Sequence, residues 1–347
     1  MIPATQSMYK INLWQRFIMI VGKINTKDIT VIVQGKIDSE NTKKCTKSIR
    51  KHLPGAHIIV STWEGEDVHD LVYDEVIYNT DPGGFKDLKT SFVNNMNRQI
   101  VSSLAGIKKV NTKYCMKIRN DLILESNNFL KYFGCFPKRC KEESLFENRV
   151  IFCSYFFKRY LGVSTSYVHP TPYHLSDWIM FGLTTDLLLL FDIPLAKEPE
   201  NTNYLITHKK ETIKTDMFGA SHQYAPEQYI FIKAIEKKFG DLHFKNILDF
   251  NSENIEKSNR IIANNCIVLN PEQFRLYCGK NGVDPYREWT KNIFSIPFDV
   301  WEGLVRWDVF EKMYEDYCDS EYKSSYRGKL QIYLYKLLNK RFVIWRK

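Results

Sequence analysis

The sequence predicts an α/β protein built on a mainly parallel sheet, and three observations carry that expectation. The segment ITVIVQG (29–35) is a near-continuous apolar run ending in Gly, the pattern of a strand buried on both faces. In NTKKCTKSIRKHLPG (41–55), Cys45, Ile49 and Leu53 recur at four-residue spacing, and Pro54-Gly55 ends the run. That is an amphipathic helix, with Asn41 as its expected cap. Strand and helix patterns then alternate through residue 118, the order of a sheet wound with helices.

The remaining elements follow in order. AHIIVSTW (56–63) is a second strand, DEVIYN (74–79) a third, and DPGG (81–84) a turn. Leu88, Phe92, Met96, Ile100 and Leu104 predict one face of a long helix, with Asn94, Asn95, Asn97 and Arg98 largely off it. KYCMKI (113–118) is the fourth strand, and RVIFCSYFF (149–157) reads as another. DWIMFGL (177–183) is apolar and aromatic. PEQYIFIKAIEKKFG (226–240) is a helix with Pro226 near its start and Gly240 past its end. Beyond residue 250 the signals mix, and Trp301, Leu304, Val305, Val309 and Met313 suggest helix. The division expected is an N-terminal segment (1–27), an α/β domain (28–245) and a mostly helical C-terminal region (246–347).

With 347 residues and 44% apolar content, the chain can bury a self-supporting core. No run of 18 apolar residues occurs, so no spanning helix is expected. The short apolar run from Phe17 to Val21 is a poor signal-peptide core, which points to the cytoplasm. Eight cysteines without a CxxC pair read as reduced core thiols rather than zinc ligands or disulfides. The net charge is +9, and eight basic residues with no acidic one lie from Lys323 onward, so the body carries only 9 − 8 = +1. Such a tail implies an anionic partner, either membrane lipid or nucleic acid. KLQIYLYKLLNKRFVIWRK (329–347) mixes basic with aliphatic and aromatic residues, as an interfacial amphipathic segment would. The alternative is an ordinary C-terminal helix with a solvated basic side. A nucleic-acid-binding protein would need its basic residues in a groove of the body, and their place in the tail counts against it.

In a parallel sheet, ligands bind beyond the carboxyl ends of the strands. Gln34-Gly35, Ser61 to Glu64, Asn79 to Gly84 and Arg119 to Asp121 fall there. Lys117, Arg119 and Asp121 share one strand face. Two readings stand side by side: a carboxylate holding a divalent cation with basic groups for a diphosphate, or an Arg–Asp pair closing the strand. In YVHPTPYHLSDW (167–178), Asp177 is a candidate general base oriented by Ser176 or His174, and Trp178 a candidate stacking platform. Against it, Ser176 or Asp177 would simply cap a helix beginning at Trp178. No GxSxG argues for an α/β-hydrolase, and the lack of GxxxxGK[ST] excludes a P-loop.

The segments ITVIVQGKI (29–37), SIRKHLPGAHIIVSTWEG (48–65), NNMNRQIVSSLAGIKKVNTKYCMKIRND (94–121), HLSDWIMFGL (174–183) and PEQY (226–229) resemble, in order, the WavE lipopolysaccharide synthesis family of glycosyltransferase-like proteins. Leu175 and Asn120 stand where that family's pattern has Pro and Ser. The resemblance implies a GT-A-like nucleotide-binding sandwich that transfers a sugar from a nucleotide-sugar donor to a lipid-linked oligosaccharide acceptor. The basic C-terminus fits a lipid-linked acceptor, since its composition suits docking on the inner-leaflet membrane surface, and its charge lying in the tail rather than the body leaves no nucleic-acid partner expected. Asp121 then corresponds to the last Asp of a metal-binding DxD motif for Mn²⁺ or Mg²⁺, and Arg119 stands at the first Asp. Lys117 and Arg119 would supplement the metal's charge. Asp177 is the expected base of an inverting reaction, with Glu227 the second candidate. Gln34, Gly35, Thr62 and Glu64 would contact the nucleoside, and Asn97 and Arg98 the donor, unless the last two merely line a solvated helix face. A sugar-nucleotide hydrolase on the same fold is the remaining alternative.

Overall fold

The computed structural model describes residues 24–88, 93–164, 167–208, 221–279, 303–326, 328–330 and 333, with side chains of 161–169 excepted. Most of the basic tail lies outside these residues.

In chain order the strands are β1 (Ile29–Gln34), β2 (His57–Trp63), β3 (Glu75–Asn79), β4 (Phe85–Lys86), β5 (Val93–Asn94), β6 (Tyr114–Arg119), β7 (Leu122–Leu124), β8 (Val150–Cys153), β9 (Tyr160–Ser164), β10 (Tyr167–Pro170), β11 (Ile179–Leu183), β12 (Cys266–Leu269) and β13 (Leu276–Cys278). The helices are α1 (Ser39–His52), α2 (Met96–Ile107), α3 (Thr184–Phe191), α4 (Tyr204–Thr207), α5 (Pro226–Phe239), α6 (Ser252–Asn265), α7 (Pro271–Phe274) and α8 (Trp307–Tyr317). Seven strands form one sheet in the order β12-β8-β11-β6-β1-β2-β3. Neighbours are parallel except at β11, which runs antiparallel to both β6 and β8.

The apolar run of β1 is buried along its whole length because helices cover both faces of the sheet. Gly106 of α2 sits where a Cβ would come within 2.3 Å of Ile32 Cγ2, so glycine there lets the helix lie directly on β1. The Cys45–Ile49–Leu53 stripe of the first helix is buried as its spacing predicted. Its cap is Asp38 rather than Asn41: Asp38 Oδ1 accepts from the Glu40 and Asn41 amides at 3.2 and 3.0 Å. None of the eight cysteines is in a disulfide, and Cys45, Cys115, Cys153 and Cys266 are buried in the core.

Four expectations change. The helix expected from Leu88 starts at Met96, since a turn and the β4–β5 hairpin come first. Leu88 is 68% exposed, and Phe92 lies outside the described residues. The apolar segment after Asp177 is strand β11, so neither Ser176 nor Asp177 caps a helix. Of RVIFCSYFF, only Val150–Cys153 is strand. Leu304 and Val305 precede α8, and Trp301 lies outside the described residues. The central sheet also continues past residue 245, because β12 from the C-terminal region pairs with β8. No helix among the described residues is long and apolar enough to cross a membrane.

Candidate active site

A cavity of about 850 Å³ opens at the carboxyl ends of the parallel strands. Gln34 and Gly35 end β1, Glu64 follows β2, Arg119 ends β6, Asp177 precedes β11 and Glu227 opens α5; all six line it. Arg98 of α2 completes the far wall. Gly35 has φ +121°, a conformation that side chains rarely adopt, so the chain can turn off β1 into the cavity only with glycine there.

Asp177 is held from two sides. Gln99 Nε2 of α2 donates to Asp177 Oδ2 at 2.6 Å, and the Lys117 ammonium donates to the Asp177 main-chain carbonyl. Asp177 Oδ1 is buried and has no hydrogen-bond partner among the described residues. A cavity-lining carboxylate with one oxygen fixed and the other unsatisfied is poised to accept a proton or a hydroxyl hydrogen. The expected orienting groups do not do this work. Ser176 Oγ instead accepts from the Trp178 amide, and His174 faces Glu227.

Glu227 occupies the first turn of α5, and its Oε2 lies 3.7 Å from His174 Nε2. Burial, and then the neighbouring charge of Asp177, hold the Glu227 carboxyl well above the usual carboxylate range. His174 is pushed down to about 4, by burial first and by Lys158 second. Its Nδ1 lies 3.0 Å from the Leu175 carbonyl, which can only accept, so Nδ1 carries the hydrogen and Nε2 is a bare acceptor. A neutral histidine therefore faces a carboxyl that favours its protonated form.

Arg119 grips Asp121 with two parallel bonds, Nε to Oδ1 at 3.1 Å and Nη2 to Oδ2 at 2.5 Å. The same guanidinium lies 4.3 Å from the Trp178 ring centroid, and Tyr155 and Phe156 stack on that indole at 5.0 and 6.1 Å. Trp178 thus serves to hold Arg119 rather than offering the free platform expected for a sugar or base. With both Asp121 oxygens engaged, and no cluster of three potential ligands among the described residues, this donor set fits an arginine pair and does not fit a divalent cation at Asp121.

Three further expected contacts fall outside the cavity. Lys117 is fully buried, so its ammonium anchors Asp177 instead of meeting a diphosphate. Burial lowers it to about 8. Thr62 is fully buried in β2. Asn97 clasps Ala196, donating to its carbonyl at 3.0 Å and accepting from its amide at 2.8 Å. Sequence reading missed Gln99, Asn94 and Lys36, all of which line the cavity. Lys36 is exposed and carries no carboxylate partner among the described residues, whereas Arg98 is bound to Asp81 at 2.7 and 2.6 Å.

A mostly parallel sheet with one antiparallel strand, flanked by helices and opening a polar cavity at its carboxyl ends, defines an α/β sandwich of the GT-A-like kind. The family model for WavE lipopolysaccharide synthesis matches residues 29–332, most of the chain, and the chain belongs to that family. Membership points to a role in lipopolysaccharide synthesis. No curated protein matches the chain.

Proposed function

We propose that the protein is a glycosyltransferase that moves a sugar from a nucleoside-diphosphate donor to a glycan acceptor during lipopolysaccharide or capsule synthesis. The observation that carries this reading is Asp177, fixed by Gln99 and Lys117 with Oδ1 unsatisfied, in a cavity of about 850 Å³. In an inverting displacement, Asp177 takes the proton of the acceptor hydroxyl as its oxygen attacks the anomeric carbon. The bond from that carbon to the diphosphate oxygen breaks, and the electron pair leaves with the nucleoside diphosphate. The cations lining the cavity, Lys36, Arg98 and Arg119, would meet the leaving group's charge. A protonated Glu227 adds no negative charge of its own beside the donor.

Membrane docking fits the same reading. The acceptor would be a lipid-linked oligosaccharide, and the basic aromatic tail would hold the enzyme on an anionic inner leaflet. The test is turnover of nucleotide sugars with and without a lipid-linked glycan acceptor. Acceptor-dependent release of nucleoside diphosphate with a new glycosidic bond is the expected result. Release of free sugar alone would make the protein a hydrolase, and no turnover with salt-sensitive RNA or DNA binding would make it a nucleic-acid binder.

A further inference from the structure

Asn94 ends β5 two residues before α2 and is 1% exposed, yet it lines the cavity. Its Oδ1 accepts from the Met96 amide at 2.8 Å. Its Nδ2 has no hydrogen-bond partner among the described residues. The amide cannot be turned over to repair this, because the Met96 N–H needs the oxygen. A buried amide donor left unmade is costly, so a ligand atom that accepts a hydrogen bond is the natural partner.

The neighbourhood narrows the ligand. Asn95, at the cap of α2, makes no side-chain bond to the backbone amides of the first turn; its Oδ1 instead accepts from the Arg98 side chain, Nη1, at 2.8 Å. The twelve-residue α2 thus presents its N-terminal end to the cavity with Asn94, Asn95 and Arg98 around it. That end favours negative charge. We infer that Asn94 Nδ2 and the first turn of α2 form a subsite for a phosphate oxygen of the donor's diphosphate. The subsite rests on the donor reading given above.

Asn94→Asp separates this role from a structural one. Aspartate keeps an oxygen for the Met96 amide and suits a helix N-terminus, but it replaces the donor with a negative acceptor. Asn94→Ser, whose hydroxyl oxygen can still accept from the Met96 amide, is the second variant. The measurement is calorimetric titration of inorganic pyrophosphate into the full chain, with melting temperatures alongside. The expected result is affinity weakened about tenfold or more in Asn94→Asp, less in Asn94→Ser, with both melting within about 2 °C of wild type. Unchanged pyrophosphate affinity in both variants would overturn the subsite and leave the donor reading standing. Unchanged pyrophosphate affinity with weakened nucleotide-sugar affinity would move the contact to the sugar and overturn the phosphate assignment. Wild-type protein that binds neither pyrophosphate nor any nucleoside diphosphate or nucleotide sugar would overturn the donor reading, and the subsite with it.

Discussion

Gln99 Nε2 lies 2.6 Å from Asp177 Oδ2, while the other oxygen of the same carboxylate is buried without a partner among the described residues. One helix, α2, therefore sets the direction of the carboxylate proposed as base, and the unsatisfied oxygen is the one proposed to meet the substrate. Replacing Gln99 by Leu removes the lateral bond without adding charge. The turnover number should fall about 10- to 100-fold, the range of a lost hydrogen bond to a charged group, with KM for the donor nearly unchanged. A rise in KM alone would assign Gln99 to donor binding instead.

Lys117 anchors the same residue through its main chain, from a position with no exposure. A buried ammonium is expensive, and an apolar residue of similar length is often as stable or more so. Lys117→Met should thus keep or raise the melting temperature and yet lower turnover. Loss of folding together with activity would mean that the ammonium holds the fold rather than the base.

The raised Glu227 carboxyl fixes the sign of one pH effect. The native state holds this proton to higher pH than the unfolded chain, whose group titrates near the ordinary value of 4.5. Its contribution to stability is therefore complete below pH 4.5 and is lost as pH rises through the native value. Glu227→Gln copies the protonated form. Its stability relative to wild type should grow steadily as pH rises above 4.5 and level off once pH passes the native value. Wild-type KM for the donor should climb as pH passes through the native value and Glu227 ionises beside Asp177, and the variant's should not. Parallel stability curves for the two proteins from pH 4 to 9 would refute this placement of the proton.

Asp121 yields a prediction about metal. Its side chain is 8% exposed and both oxygens bind Arg119. Asp121→Asn should cost on the order of 2 kcal/mol in stability by loosening that pair, and millimolar Mn²⁺ should leave the wild-type melting temperature unchanged. A Mn²⁺-dependent rise in melting temperature, absent from the variant, would return Asp121 to the role of metal ligand.

Much of this architecture was legible in the residues, for physical reasons. The first strands and the first helix follow from continuous apolar runs and a four-residue stripe, because burial on a helix-covered sheet leaves no other pattern. The strand β11 was harder. Its apolar, aromatic run suits a buried strand or a buried helix equally, and only its pairing between β6 and β8 decides. The start of α2 was misread because Leu88 and Phe92 happen to continue the four-residue spacing of Met96 and Ile100. That error placed Asn94 inside a helix and hid its position at the cavity. Asp177 and Glu227 could be singled out by residue type, but their partners could not. Gln99 lies 78 residues from Asp177 and Lys117 lies 60 away, and no local spacing links them.

The central claim is that Asp177 takes the acceptor proton during sugar transfer. The most direct measurement is the rate of glycosidic-bond formation from a nucleotide sugar by Asp177→Asn, set against wild type at saturating donor and acceptor. Asparagine keeps the size of the side chain and removes the base. The account predicts a fall of about 10²- to 10⁴-fold with donor binding retained. A variant that forms the bond within about threefold of the wild-type rate would contradict it.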